Sequence, residues 1–447
     1  MSTASDTEKV PFFLRGNYAP VDGEQTVGKL EVTGAIPPML CGRYLRNGPN
    51  PKNDTPPHWF FGDGMLHGVA ITDGEALWYR NRWIQTRQLT ERLRLVRSDG
   101  TRDLSGGPGN TSIIRHAGRT LALAETALPW EVTEELETVG SYDFGGNLKT
   151  GMTAHPKICP VTGELHFFDY NWFPPYLTYH CANAAGELIR SVPIEVPGPT
   201  MMHDFAITDR HVLFMDLPVV IDFERALRGQ MPYRWDDDYG ARVGVMERDT
   251  DSGAVRWFDV EPCYVFHPVN AYEYDGLISI EVVRYPELWR QGTARFDLAC
   301  LHRWDIDLEA GSVAETPLDD RPIEFPRIDE RLCGARHRYG YAVRNLSSKD
   351  DDATSLLKYD LRSGGSQEHD FGPGRFPGEG VFISDPYSRE EDAGWLMSLV
   401  YDAARDRSDL VILDAQSFTA PPVATVHLPS RVPFGFHGNW FPDLEAF

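Results

Sequence analysis

Short runs of alternating apolar and polar residues recur along almost the whole chain, each stopped by a turn containing Gly or Asx. Residues 65–71 form one such run, Thr72-Asp73-Gly74 turns it, and residues 76–84 return. The pattern repeats around His116-Ala117-Gly118, Thr162-Gly163, Ala185-Gly186, Asp251-Ser252-Gly253, Asp275-Gly276, Ala310-Gly311 and Ser363-Gly364-Gly365. A Gly or Asx that tolerates positive φ, flanked by period-two runs rich in Val, Ile, Phe, Tyr and Trp, is a hairpin signal. Helical periodicity is scarce. The spacing predicts short helices over 88–97 and over 222–228, the second with Asp222 as its N-cap.

So many hairpins at steady spacing imply an all-β sandwich, barrel or propeller. One sandwich would be strained to hold this many strands, whereas a propeller adds blades. A chain of 447 residues would give about seven, with generous loops. No shift in composition marks a linker, so residues 1–447 are expected to form one domain, with 1–15 a flexible N-terminal arm. Phe173-Pro174-Pro175 reads as a loop over one face.

A net charge of −23 repels phosphate backbones and excludes nucleic acid as a partner. It also disfavours electrostatic docking on anionic lipid but leaves docking through a local apolar patch open. The six cysteines form no Cys-x-x-Cys pair and are too sparse for a disulfide scaffold, so reduced thiols in a cytoplasmic protein are expected. Residues 1–10 carry no signal-peptide pattern, and no apolar run is long enough to span a membrane. Nothing in the chain sets an oligomeric state.

Four of the 14 histidines differ in context from the rest. They are His155 in Met152-Thr153-Ala154-His155-Pro156, His203 in Met201-Met202-His203-Asp204-Phe205, His267 in Tyr264-Val265-Phe266-His267-Pro268, and His437 in Phe434-Gly435-Phe436-His437-Gly438. Each sits in a short apolar, strand-like segment beside Pro, Gly or Asp. They are too far apart in sequence for a helical metal motif. The inner ends of different propeller blades converge on one axis, where distant histidines meet. Neutral imidazoles suit iron, copper or zinc. Each metal-bound imidazole needs its other N–H anchored, commonly by a carboxylate. Glu125, Glu324 and Glu379 lie in otherwise apolar surroundings and are candidates for that role, although such a Glu taken alone is more often a surface residue.

These segments resemble the carotenoid cleavage oxygenase family, which includes carotenoid and apocarotenoid oxygenases, stilbene-cleaving dioxygenases and the visual-cycle retinoid isomerase. The resemblance begins at Gly42-Arg43-Tyr44-Leu45-Arg46-Asn47-Gly48-Pro49-Asn50. It continues through Phe61-Gly62-Asp63-Gly64-Met65-Leu66-His67-Gly68 and all four histidine segments to Phe436-His437-Gly438. It implies a seven-bladed β-propeller with a dome of loops and short helices over the metal face. It implies one Fe(2+) per chain, held by His155, His203, His267 and His437. Glu125, Glu324 and Glu379 would anchor His203, His267 and His437 respectively, leaving His155 without a carboxylate. Thr111 would lie near the open metal position.

The implied activity is oxidative cleavage of a conjugated double bond by O2, giving two carbonyl products. Stilbene-cleaving members carry a Lys directly before the first of these glutamates, and a Tyr from a preceding loop. Here that position is Ala124, and no Tyr occurs between 83 and 111. A buried Ala cannot stabilise a phenolate, so a carotenoid or apocarotenoid is the expected substrate, with a stilbenoid as the alternative on the same fold. A non-catalytic binding propeller and isomerisation without cleavage are the remaining alternatives. Trp172 and Phe173, in an aromatic loop after His155, are expected to face the substrate. A polyene is drawn from lipid or from a carrier, so peripheral membrane contact is expected alongside the cytoplasmic location.

Overall fold

The computed structural model describes residues 10–443 apart from 98, 291, 294–295 and 345–353. Its sheets are antiparallel meanders, and the turns that make them are those the sequence signals. Strand Gly64–Thr72 reverses into Glu75–Trp83 through Asp73 and Gly74, at φ 48° and 75°. Ala117-Gly118 and Asp275-Gly276 do the same elsewhere, also with both residues at positive φ. Two-residue loops of this kind match the twist of the flanking strands.

Seven sheets of four to six strands stand as blades around one axis, and a separate two-stranded hairpin, Val219–Ile221 with Tyr233–Trp235, belongs to none of them. Both ends of the chain close the ring. Gly438–Pro442 pairs with Gly42–Pro49 in the first blade, and Val32–Gly34 pairs with Ala424–His427 in the seventh. These pairings tie the two ends of the chain to each other, while each blade keeps its own short edges, as in other propellers. The blades pack through buried aromatics, among them Phe168, Tyr179, Phe205 and Phe214, each with no exposed surface.

The innermost strands begin at the same end of the axis. They are Ser112–His116, Lys157–Ile158, Phe205–Ile207, Tyr264–Tyr274, Ile323–Arg327, the interrupted strand Arg375–Pro377 and Val381–Ser384, and Gly438–Pro442. Two short α-helices, Arg87–Glu91 and Phe223–Leu227, accompany the loops over the blades. The second has the expected cap, with Asp222 Oδ1 accepting from Arg225 N at 3.1 Å. The first is shorter than the expected 88–97, because Arg92 turns left-handed at φ 56° and ends it.

The expected N-terminal arm needs correction. Residues 1–9 lie outside the described residues, but within 10–15 the short turn Phe12–Leu14 is packed, while Val10, Pro11 and Arg15 are exposed. Phe13 is 4% exposed, and Phe12 meets Tyr18 edge-on at 5.3 Å between ring centres. Tyr18 in turn packs on Trp59 and Phe434. No helix among the described residues is long and apolar enough to cross a membrane. The six cysteines are free thiols.

Candidate active site

Each innermost strand brings one residue to the axis at or near its start. In blade order these are Thr111, His155, His203, His267, Glu324, Glu379 and His437. Glu125 adds an eighth, just past the end of the neighbouring strand Arg119–Leu123. The all-β repeat therefore builds the site, since one position per blade is enough to gather residues far apart in sequence.

The four imidazoles form a tight group. The His155 ring centre lies 4.4 Å from His203, 5.0 Å from His267 and 4.6 Å from His437. Ring nitrogens of His155, His267 and His437 all lie within 4.8 Å of one another, and His203 Nε2 is 3.3 Å from His267 Nε2. Metal–nitrogen bonds of about 2.1 Å at right angles place their nitrogens about 3 Å apart, close to that last spacing. His155 Nε2 is buried with no hydrogen-bond partner. A buried nitrogen that nothing on the protein satisfies is what a metal ligand looks like when its other interactions are removed.

The opposite ring nitrogens are anchored. His267 Nδ1 meets Glu324 Oε2 at 2.7 Å, His437 Nδ1 meets Glu379 Oε1 at 2.9 Å, and His203 Nδ1 is in close contact with Glu125 Oε1. The carboxylates thus turn each Nε2 towards the centre and make the ring a better donor. Among the described residues no carboxylate pairs with His155. Burial first, and then the other three imidazoles, push its pKa well below the ordinary value, so it stays neutral and free to donate. Its place is fixed instead through Thr153, whose hydroxyl accepts from His155 N at 3.1 Å and donates to His203 O at 3.3 Å.

A further set of residues, missed in the sequence, holds the carboxylates. Tyr285 donates to Glu324 Oε1 at 2.9 Å. Tyr170 donates to Glu125 Oε2, and its hydroxyl lies 2.8 Å from that of Tyr233. Glu379 Oε2 accepts from Gly438 N at 2.9 Å and pairs with Arg327 at 3.1 Å. Burial pushes the Glu379 carboxyl up, but Arg327 and His437 outweigh it and hold the pKa down to about 2. Two of the carboxylates precede left-handed residues, Thr126 at φ 59° and Phe325 at φ 53°. Such a conformation costs a non-glycine residue about 1–2 kcal/mol. The bend at Phe325 lets its own N–H bond to Glu324 Oε2 at 2.5 Å.

A cavity of about 740 Å³ opens over His203, His267 and His437. Ligand sites for drug-sized molecules span roughly 300–1,000 Å³. Its walls are largely aromatic and include Trp59, Phe60, Phe266, Phe296, Phe325 and Phe436. Thr111 and Ala124 line it beside the imidazole group, and the Thr111 hydroxyl donates to Asn110 Oδ1 at 3.0 Å.

Trp172 and Phe173 require a correction, because neither lines this cavity. Trp172 Nε1 donates to Gly100 O at 2.9 Å, and Phe173, 46% exposed, packs on Phe223 at 5.6 Å. Their loop follows the second strand of the third blade, one strand out from the axis, so it reaches the outer loops instead of the centre.

The model of the retinal pigment epithelial membrane protein family matches residues 18–442. A carotenoid cleavage oxygenase of Mycobacterium tuberculosis is 41% identical, over 99% of this chain and 100% of that one. The crystal structure of a Pseudomonas brassicacearum lignostilbene dioxygenase superposes with a TM-score of 0.88 at 30% identity, covering 97% of this chain and 99% of that chain. A cobalt-substituted Synechocystis ACO, an apocarotenoid oxygenase, gives 0.84 at 29% identity, covering 95% and 97%. The fold and the site therefore define an oxygenase of the class that cleaves carbon–carbon double bonds. The chain belongs to the retinal pigment epithelial membrane protein family, the carotenoid cleavage oxygenases.

Proposed function

We propose that the chain is an iron(II)-dependent dioxygenase that splits a conjugated double bond of a carotenoid or apocarotenoid into two carbonyl products. The observation that carries this reading is the convergence of four imidazoles, three of them anchored by carboxylates, on the floor of an aromatic cavity. His155, His203, His267 and His437 would hold the metal. Four neutral ligands suit a divalent first-row ion, and a ferrous ion, when bound, would shift electron density onto O2 so that it can react with an alkene, whose double bond supplies the electrons for both carbonyls.

The remaining work falls to the chain. The aromatic walls exclude water and hold an extended apolar substrate by burial and ring contact. That positioning brings the reacting bond to the open side of the imidazole group. No side-chain acid or base is required, and none is proposed. Ala124 offers a methyl group where a phenolate would need a cation, which supports a polyene over a hydroxystilbene. The likeness to the lignostilbene enzyme keeps a stilbenoid as the second reading.

Product mass analysis under isotopically heavy oxygen gas, with a panel of carotenoids, apocarotenals and hydroxystilbenes, separates the readings. Two shortened carbonyl products from a polyene, each carrying one heavy oxygen, are expected. Aromatic aldehydes from a stilbene, with no polyene cleaved, would replace this reading with the second. A product of unchanged chain length would mean isomerisation.

The corrected wall makes its own test. Phe60 lines the cavity 5.6 Å from Phe436 between ring centres. Phe60→Ala is expected to lower kcat/KM by about tenfold, on the order of 1.4 kcal/mol of positioning. Phe173→Ala, outside the cavity, is expected to leave turnover and cleavage position unchanged. Steady-state kinetics with product identification would check both, and the reverse pattern would restore the loop as the substrate wall.

A further inference from the structure

One wall of the cavity lies between the first and seventh blades, where Tyr44, Phe376, Leu399, Tyr401 and Phe434 enclose mostly apolar space. Arg46, on strand Gly42–Pro49, stands in this wall and is only 6% exposed. Its Nη2 donates to the carbonyl of Pro433, while its Nε is buried without a partner. Among the described residues no carboxylate pairs with it. The neighbours that act on its charge, Tyr44 and Tyr79, are neutral. Other arginines taken out of water in this fold are matched: Arg248 has Glu164 at 3.1 Å and Arg327 has Glu379 at 3.1 Å.

The backbone makes room for this side chain. A Cβ on Gly435 would fall 1.5 Å from Arg46 Nη1, and one on Gly48 would fall 2.8 Å from it. Asn17, 4% exposed, lines the same wall. Its Nδ2 donates to Val432 O at 3.1 Å, next to the carbonyl that Arg46 holds, and its Oδ1 is buried without a partner. Burial lowers the Arg46 pKa to about 10, which leaves it charged at neutral pH. An unmatched guanidinium in such surroundings is costly, and buried charges are ordinarily paired.

We propose that Arg46 receives the oxygen-bearing end group of the substrate, a carboxylate above all, and so sets how far a long apolar chain enters the cavity. The proposal rests on the reading that this cavity takes a polyene. The guanidinium offers a planar fork that suits a carboxylate or a carbonyl oxygen. The protein's charge of −23 disfavours small free anions, whereas burial of an attached apolar chain would carry a carboxylate in.

The test is binding to the metal-free protein, read by quenching of tryptophan fluorescence, of a long polyene carboxylic acid and of its methyl ester. The wild-type protein is expected to bind the acid about tenfold more tightly than the ester. Arg46→Met is expected to bind the two alike, at the level of the ester. Should that variant fail to fold by circular dichroism, Asn17→Asp serves instead, since a carboxylate beside the guanidinium is expected to weaken the acid and spare the ester. Equal binding of acid and ester by the wild-type protein would overturn the proposal without any variant. Failure of the cleavage reading would appear separately, as tight polyene binding with no cleaved product from the iron-loaded protein.

Discussion

Replacing His267 by alanine is expected to leave a folded protein that retains almost no iron. His267 supplies one of four converging nitrogens and lies close to the other three, with His203 Nε2 at 3.3 Å and the His437 and His155 rings at 4.9 Å and 5.0 Å. Its loss leaves three imidazoles, one of which, His155, has no carboxylate behind it. Weakening only a carboxylate behind a ligand costs about 10–100-fold in metal affinity, and losing the ligand itself costs more. The fold should survive, because Glu324 keeps the Tyr285 hydroxyl at 2.9 Å and the Phe325 N–H at 2.5 Å as partners. Metal analysis of the purified variant beside its circular dichroism spectrum would check this. A folded variant with a full complement of iron would remove His267 from the ligand set.

The architecture was legible because local chemistry and global fold agree. Asp73-Gly74, Ala117-Gly118 and Asp275-Gly276 each turn a hairpin with two residues at positive φ, as their residue types allow. Repetition of that unit points to blades. Closure is less legible. The pairing of Gly438–Pro442 with Gly42–Pro49 joins opposite ends of the chain, and no local pattern announces so distant a partner. The N-terminal segment misled for a similar reason. Phe12 and Phe13 read as part of an arm by position, yet Phe13 is buried and Phe12 packs on Trp59 and on Tyr18, just beyond the expected arm.

In the site, the four histidines stood out in the sequence by their short apolar, strand-like settings, whereas Glu125, Glu324 and Glu379, read alone, look like surface residues, and their roles and that of Thr111 came from the family resemblance. The residues that hold the carboxylates did not stand out. Tyr170 and Tyr285 end the strands Leu165–Tyr170 and Leu277–Tyr285, next outward from the axis, and as aromatics they look like any other core residue. A signal was present: both occupy the same place in the blade repeat, one strand out and at the end nearest the imidazole group. Trp172 and Phe173 were chosen for aromatic character and for their place after His155. Two residues beyond Tyr170, the chain has already left the axis. Closeness in sequence to a ligand therefore says less than position within the blade.

Arg327→Met is expected to destabilise the protein by about 3–5 kcal/mol, the usual cost of stranding one member of a buried ion pair. The Glu379 side chain is 2% exposed, and burial alone would push its pKa up. Arg327 and His437 together reverse that. Glu379 therefore contributes stability that is present above its ordinary value of 4.5 and is lost as the pH falls towards about 2. Removing the guanidinium leaves the carboxylate with His437 and Gly438 N alone.

The double variant Arg327→Met/Glu379→Gln separates two roles of this pair. A neutral amide has no stranded charge, so most of the lost stability should return, which thermal or denaturant unfolding would measure. Metal affinity should not return, because an amide anchors His437 Nδ1 less well, and a deficit of about 10–100-fold is expected. Arg327 also donates to Gly438 O at 2.9 Å and to Asn439 Oδ1 at 2.6 Å, on the strand that closes the ring. If the double variant proves as unstable as Arg327→Met, those strand contacts carry the stability, and the ion-pair account of Glu379 fails.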